Sequence, residues 1–166
     1  KVNPKGFRVG NIYTWGSVWF SDKNYKVFLR QDLLIKKFLR TELKDASMEK
    51  VIIERSAGDV TVNVFTEKPG VVIVRSGSGV EELKKRIEKK FLSLKQTLHV
   101  NIKEVERPAL SSPLVMQAVI ADLERRVPFR RAVKQAVGKV QRAGAQGVKI
   151  IVAGRLNGAE IARTEK

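Results

Sequence analysis

An α+β fold is predicted for this chain, and three features of the sequence predict it. Apolar residues recur at helical spacing around residues 24–44, 80–94 and 111–142, and alternate as in half-buried strands around 51–66 and 98–103. Turn chemistry at Ser56-Ala57-Gly58-Asp59 and Pro69-Gly70 separates these stretches. A chain of 166 residues with 43% hydrophobic content can fill the core of one large domain or two small ones.

Taken in order, the opening KVNPKGFRVG combines Pro4, Gly6 and Gly10 with Lys1, Lys5 and Arg8. That pattern resists helix and predicts an extended basic arm of the kind a partner orders. Trp15, Trp19 and Phe20 follow; large aromatics beside such an arm are expected to clamp it onto a domain rather than stack on nucleic acid bases. Two helical pieces are predicted next, Asn24 to Arg30 and Asp32 to Lys44, the second burying Ile35, Phe38, Leu39 and Leu43. Val51–Arg55 and Val60–Thr66 are rich in β-branched residues and predict a hairpin. Pro69-Gly70 is expected to break the chain before the apolar Val71–Val74 and the loop Arg75–Gly79. Beyond it Val80, Leu83, Ile87, Phe91 and Leu94 share a helical face, with Glu81 and Glu82 in the first turn and lysines near the end, as the helix dipole favours. Leu98, Val100 and Ile102 then alternate with His99, Asn101 and Lys103 in a strand that leaves His99 exposed.

Pro108 marks a boundary, which divides the chain into an arm and aromatic anchor (1–22), a first domain (23–107) and a second (108–166). Ser111 or Ser112 with Pro113 starts a helix whose buried side carries Val115 or Met116, Val119, Ile120 and Leu123. Pro128 separates it from a basic helix that Gly144 and Gly147 end, and Val148–Ala153 is predicted to be a strand.

The charge is uneven. The formal net charge of +16 divides into +6 for residues 1–47, +3 for 48–107 and +7 for 108–166. Leu123–Arg142 carries seven basic residues and, after Glu124, no acid. Phe129, Ala132, Val133, Ala136, Val137 and Val140 form its apolar face and push Arg130, Arg131, Lys134 and Arg142 to the other side. A helix that needed only solubility would mix signs at three- and four-residue spacing. An uncompensated row is built to meet a polyanion.

Other chemistries find little support. No apolar run reaches the roughly 20 residues of a membrane span and no signal-peptide pattern opens the chain, so a soluble, intracellular protein without a membrane partner is expected. Zero cysteines rule out disulfides, thiolate nucleophiles and cysteine zinc sites, and a single histidine on an exposed strand face makes a poor metal centre. Glu81 and Glu82 are adjacent on a helix, so they point apart and do not form a metal pair. No lysine is marked by an apolar pocket that would make it a nucleophile. No enzyme, cofactor or metal is expected.

The order helix, strand, strand, glycine loop, helix, strand in the middle of the chain resembles a type II KH domain, α-β-β-α-α-β, in which a glycine loop approaches a nucleic acid backbone. More specific stretches are KVNPKGFRVG, Trp15-Gly-Ser-Val-Trp19-Phe20, VIIER before the hairpin turn, LERRVPFRRAVKQAV and GRLNGAEIARTE. In this order, along essentially the whole chain, they resemble the family of the third protein of the bacterial small ribosomal subunit. The resemblance implies a non-enzymatic structural constituent of the small subunit, located in the cytoplasm on the ribosome. Its partners would be small-subunit rRNA in the subunit head, neighbouring small-subunit proteins, and mRNA at the entry channel, whose structured stretches it helps to unwind. The mRNA-facing residues would be Arg130, Arg131 and Lys134. The rRNA-facing ones would be Lys1, Lys5, Arg8, Arg126, Arg142, Gly154, Arg155 and Arg163. The family's GxxG loop falls on Val74, Arg75, Ser76 and Gly77. Valine at the first glycine position would cost on the order of 1–2 kcal/mol were a positive φ required, which argues against phosphate binding by this loop. The family continues beyond ARTE with further strands, so the second domain is expected to be C-terminally incomplete. A free-standing KH-type RNA chaperone or ribosome assembly factor is the alternative reading.

Overall fold

Helices and strands arise where the apolar period dictates, and they sort into two units, Lys1–Val105 and Glu106–Lys166. The structure, a computed structural model, describes residues 2–56, 58–73, 78–92 and 96–166. The GxxG-like positions Val74–Gly77 and the helix-face residue Leu94 lie outside the described residues.

In the first unit a single helical turn, α1 (Pro4–Phe7), replaces the expected extended arm. Asn3 caps it, its Oδ1 accepting from the Lys5 amide at 2.9 Å, and Pro4 occupies a first-turn position where a missing N–H costs nothing. A two-residue strand, β1 (Ser17–Val18), precedes α2 (Tyr25–Glu42). The two helical pieces expected here are one helix, because Gln31 between them is a good helix former and nothing breaks the backbone. α2 buries Ile35 and Leu39, with Leu43 just beyond its end.

β2 (Met48–Arg55) and β3 (Asp59–Thr66) form the expected antiparallel hairpin, Val51 opposite Val64 and Ile53 opposite Val62. Pro69 starts a helix, α3 (Pro69–Ile73), where a break was expected; proline's fixed φ suits the first turn of a helix as well as a turn. α4 (Ser78–Phe91) buries Leu83 and Ile87. β4 (Thr97–Glu104) runs parallel to β3, giving a sheet ordered β1-β2-β3-β4, and its alternation holds: Leu98 is fully buried and His99 exposed. Ile35, Leu39, Ile53, Val60, Val62, Val64, Ile87 and Leu98 make the core between this sheet and the helices. Thr66 is buried and donates its hydroxyl to the Ala46 carbonyl, so a polar group at the core edge is satisfied.

In the second unit α5 (Ser112–Glu124) packs on α6 (Phe129–Arg142). α5 buries Leu114 and, as expected, Val119, but leaves Met116 and Ile120 of the expected face exposed. Apolar residues surround this helix on nearly all sides, so periodicity alone could not select the buried one. A strand was expected over Val148–Ala153, but β5 (Val152–Gly154) pairs only across β6 (Arg163–Glu165), in antiparallel register Val152 to Glu165 and Gly154 to Arg163. A strand exists only where its hydrogen bonds find a partner, and Val148–Ile151 has none among the described residues.

Candidate nucleic-acid interface

α6 is the centre of the candidate site. Phe129, Ala132 and Val140 are buried on one side, and Arg130, Arg131, Lys134, Lys139 and Arg142 are exposed. Pro128 precedes the helix and a Schellman turn closes it: the Gly144 amide donates to the Gln141 carbonyl at 3.0 Å, and Gly144 adopts φ +90.

The charge of this row is not wholly uncompensated, as its sequence suggested. Glu165 on β6 reaches Arg130 at 3.5 Å and Arg163 at 4.0 Å. This acid lies 35 positions from Arg130 in sequence, so only the β5–β6 hairpin brings it near. Arg131 and Lys134 make no ion pair among the described residues and keep their charge free for a ligand. The guanidinium groups of Arg130 and Arg163 each lie 5.7 Å from the Phe129 ring centre, which brings an expected mRNA-facing residue and an expected rRNA-facing residue onto one aromatic support.

The other expected residues divide by what their side chains already do. Arg142 donates from Nε to the Gly138 carbonyl at 3.1 Å, lying back along its helix. Arg155 donates to the Ala159 carbonyl at 2.8 Å and braces the turn in which Asn157 has φ 56 and Gly158 φ 75. Gly154 has φ 141, a conformation that side chains disfavour. Arg126 is exposed and closes α5 in the left-handed region at φ 62, while the next amide, that of Val127, reaches the Asp122 carbonyl at 3.0 Å. Glycine is the usual occupant of that position, and arginine there costs about 1–2 kcal/mol.

Two cations escaped the sequence reading. Lys149 and Lys166 join Lys134 around a groove of about 440 Å³, whose floor includes Val133, Val137, Val148 and Ile150. The Gly144 turn folds 148–150 back beside α6, a relation that helical spacing cannot express.

The N-terminal cations sit on a segment fastened to α2. The Trp19 indole donates to Asp32 Oδ2 at 2.7 Å and packs on Tyr25 and Phe28. Asp32 is 1% exposed and receives Arg55 Nη2 at 2.6 Å and Nε at 2.9 Å. One turn on, the Lys36 ammonium donates to the Gly16 carbonyl at 2.6 Å and to Ser17 Oγ at 2.9 Å. Burial holds Lys36 below the usual lysine range; the Asp32 charge opposes that shift and Arg40 adds to it. A Cβ on Gly16 would lie 3.2 Å from this ammonium. Of the three aromatics expected to clamp the arm, only Trp19 does so; Trp15 is 66% and Phe20 87% exposed. Lys5 lies 5.3 Å from the Tyr13 ring centre and Arg8 is exposed, whereas Lys1 is outside the described residues.

Among the described residues no cluster of acids and histidine could hold a metal ion, and no helix is long and apolar enough to cross a membrane.

Comparison with known proteins adds two family matches. Residues 34–110 match the KH domain family, and residues 119–166 match the C-terminal domain of ribosomal protein S3. The small ribosomal subunit protein uS3 of Desulfitobacterium hafniense is 52% identical over 99% of this chain and 74% of its own length. Those of Enterococcus faecalis and Legionella pneumophila are 48% and 47% identical, each over 99% of this chain and 74% of the relative.

Proposed function

The chain belongs to the uS3 family of small ribosomal subunit proteins, and from that membership we propose that the basic face of α6 holds messenger RNA as it enters the subunit. The chain is a structural constituent of the small ribosomal subunit and not an enzyme; its partners are ribosomal RNA and neighbouring ribosomal proteins. Within that role Arg130, Arg131 and Lys134 take the message. Lys1, Lys5, Arg8, Arg126, Arg142, Gly154, Arg155 and Arg163 contribute to contacts with rRNA in the subunit head.

One observation carries this reading: Arg131 and Lys134 are exposed and unpaired among the described residues, on a helix whose opposite side, with Phe129, Ala132 and Val140, is buried within the second unit. Cations on such a rigid support grip backbone phosphates without choosing bases. Arginine adds a planar fork that meets two phosphate oxygens at once. A duplex pulled past this grip by translocation powered elsewhere would be held back on one strand and opened. The sequence holds no nucleotide-hydrolysis motif to supply that energy itself.

Replacing Arg130, Arg131 and Lys134 together by alanine tests it. The urea unfolding midpoint should not move. The slope of log affinity for single-stranded RNA against log salt should flatten by about two, at roughly 0.7 for each phosphate no longer neutralised. Translation through a stable hairpin should slow more than translation of an unstructured message. Equal loss on both messages would point to a failure of subunit assembly and overturn the proposal.

A further inference from the structure

The N-terminal segment combines cations with bare aromatic side chains. No acid occurs before Asp22, while Lys5 and Arg8 alternate with large apolar side chains. Phe7 is 78% exposed, and Trp15 and Phe20 are nearly as bare or more so. Isolated exposed apolar residues are ordinary, but three aromatics bared within fourteen residues belong to a surface that is covered in use.

Part of the segment is also fastened to its neighbours. Trp15 and Phe20 directly flank Gly16–Trp19, the stretch that Lys36 and Asp32 fasten at its two ends and that β1 pairs in parallel with β2, Ser17 beside Ile53. Upstream, the amides of Ile12 and Tyr13 both donate to the Arg8 carbonyl, and Gly10 donates to that of Tyr13 at 2.9 Å. This closed loop brings Arg8 and Lys5 beside Tyr13, two residues before Trp15.

We propose that Phe7, Trp15 and Phe20 stack on unpaired RNA bases while Lys5 and Arg8 hold the adjoining phosphates. The inference rests on the reading that this chain binds RNA through its cationic faces and adds a second, base-contacting site to it. Charge complementarity selects the occupant: interleaved cations without a single acid suit a polyanion, and an aromatic ring suits any base because every base has a π-face. Fastening of Gly16–Trp19 by Asp32 and Lys36 lowers the ordering cost at the adjoining Trp15 and Phe20 on binding. An unpaired strand is required, since bases in a duplex have their faces already stacked.

The test uses the full chain and a Trp15→Leu/Phe20→Leu variant, which keeps apolar bulk and charge but has no ring at either position. Each is titrated at one salt concentration with oligouridylate and with an RNA duplex of equal phosphate number. Oligouridylate should quench the tryptophan emission of the parent chain, and the variant should bind it at least about tenfold more weakly. Its affinity for duplex and its salt slope should match the parent, and Trp15→Phe alone should retain most of the single-strand affinity. Unchanged affinity of the double variant for oligouridylate, while the α6 triple variant is weakened, overturns the stacking site and leaves the proposed function standing. Normal RNA binding by the double variant with loss of a neighbouring ribosomal protein from reconstituted particles reassigns the surface to a protein partner. A parent chain that binds neither RNA fails both readings.

Discussion

The basic helix α6 and the N-terminal segment both present cations without acids of their own, but they come to do so by different routes. In α6 a 3.6-residue period puts Phe129, Ala132 and Val140 inside and Arg131 and Lys134 outside, so the display is built into the helix itself. In the segment around residues 5–20 no period exists, and presentation depends on two side chains of another element, Asp32 and Lys36 on α2, reaching Trp19, Gly16 and Ser17. A helix can therefore lose its surface charges and keep its shape. The segment's surface depends on buried groups whose removal costs stability as well.

The largest effect that would test this contrast is expected from Asp32→Ala. It leaves the Arg55 side chain, only 4% exposed, without its counter-charge and the Trp19 indole without its acceptor. A loss of about 3–5 kcal/mol in urea unfolding should result, as for one partner removed from a buried ion pair. Accessibility of residues 2–20 to protease should rise with it. A loss below about 1 kcal/mol would break the comparison by showing that the segment is held elsewhere.

A smaller effect is expected at the other site. Glu165→Gln removes the acid that faces Arg130 and Arg163, so affinity for single-stranded RNA should rise by at most about fivefold at low salt, as the loss of an exposed ion pair allows. Unfolding should barely change. Unaltered RNA affinity would mean that Arg130 acts apart from Arg131 and Lys134.

The smallest effect is a pH dependence. The folded chain depresses Lys36, so between its folded value and about 10.4, the value for a free lysine, the unfolded state binds more protons. Stability from this group therefore rises with pH through that window, as the penalty of burying the ammonium is relieved. Lys36→Met should remove that rise from the difference between the two unfolding-versus-pH curves. An unchanged pH dependence would indicate that the ammonium is as well solvated folded as unfolded.

Much of the candidate site was legible because it lies on one helix. Arg130, Arg131 and Lys134 follow from spacing alone, and the β2–β3 hairpin and the His99 strand follow from alternation and turn residues. The misread parts lacked a local signal of that kind. Pro4 and Pro69 serve turns and helix starts equally, and the apolar girth of α5 hides which side is buried. A strand was expected over Val148–Ala153, yet only its end, within Val152–Gly154, finds a partner among the described residues.

By itself the sequence determined the α+β class, the faces of α2, α4 and α6, and a cationic surface for nucleic acid, because each depends on a periodicity or a charge sum that a short stretch of chain contains. Only the tertiary structure decided that Glu165 meets Arg130, that Lys149 and Lys166 stand beside Lys134, and that Trp19 turns in to Asp32 while Trp15 and Phe20 stay bare. These depend on contacts between residues distant in sequence, and packing, through burial and hydrogen-bond satisfaction, selects among side chains that local pattern leaves equivalent.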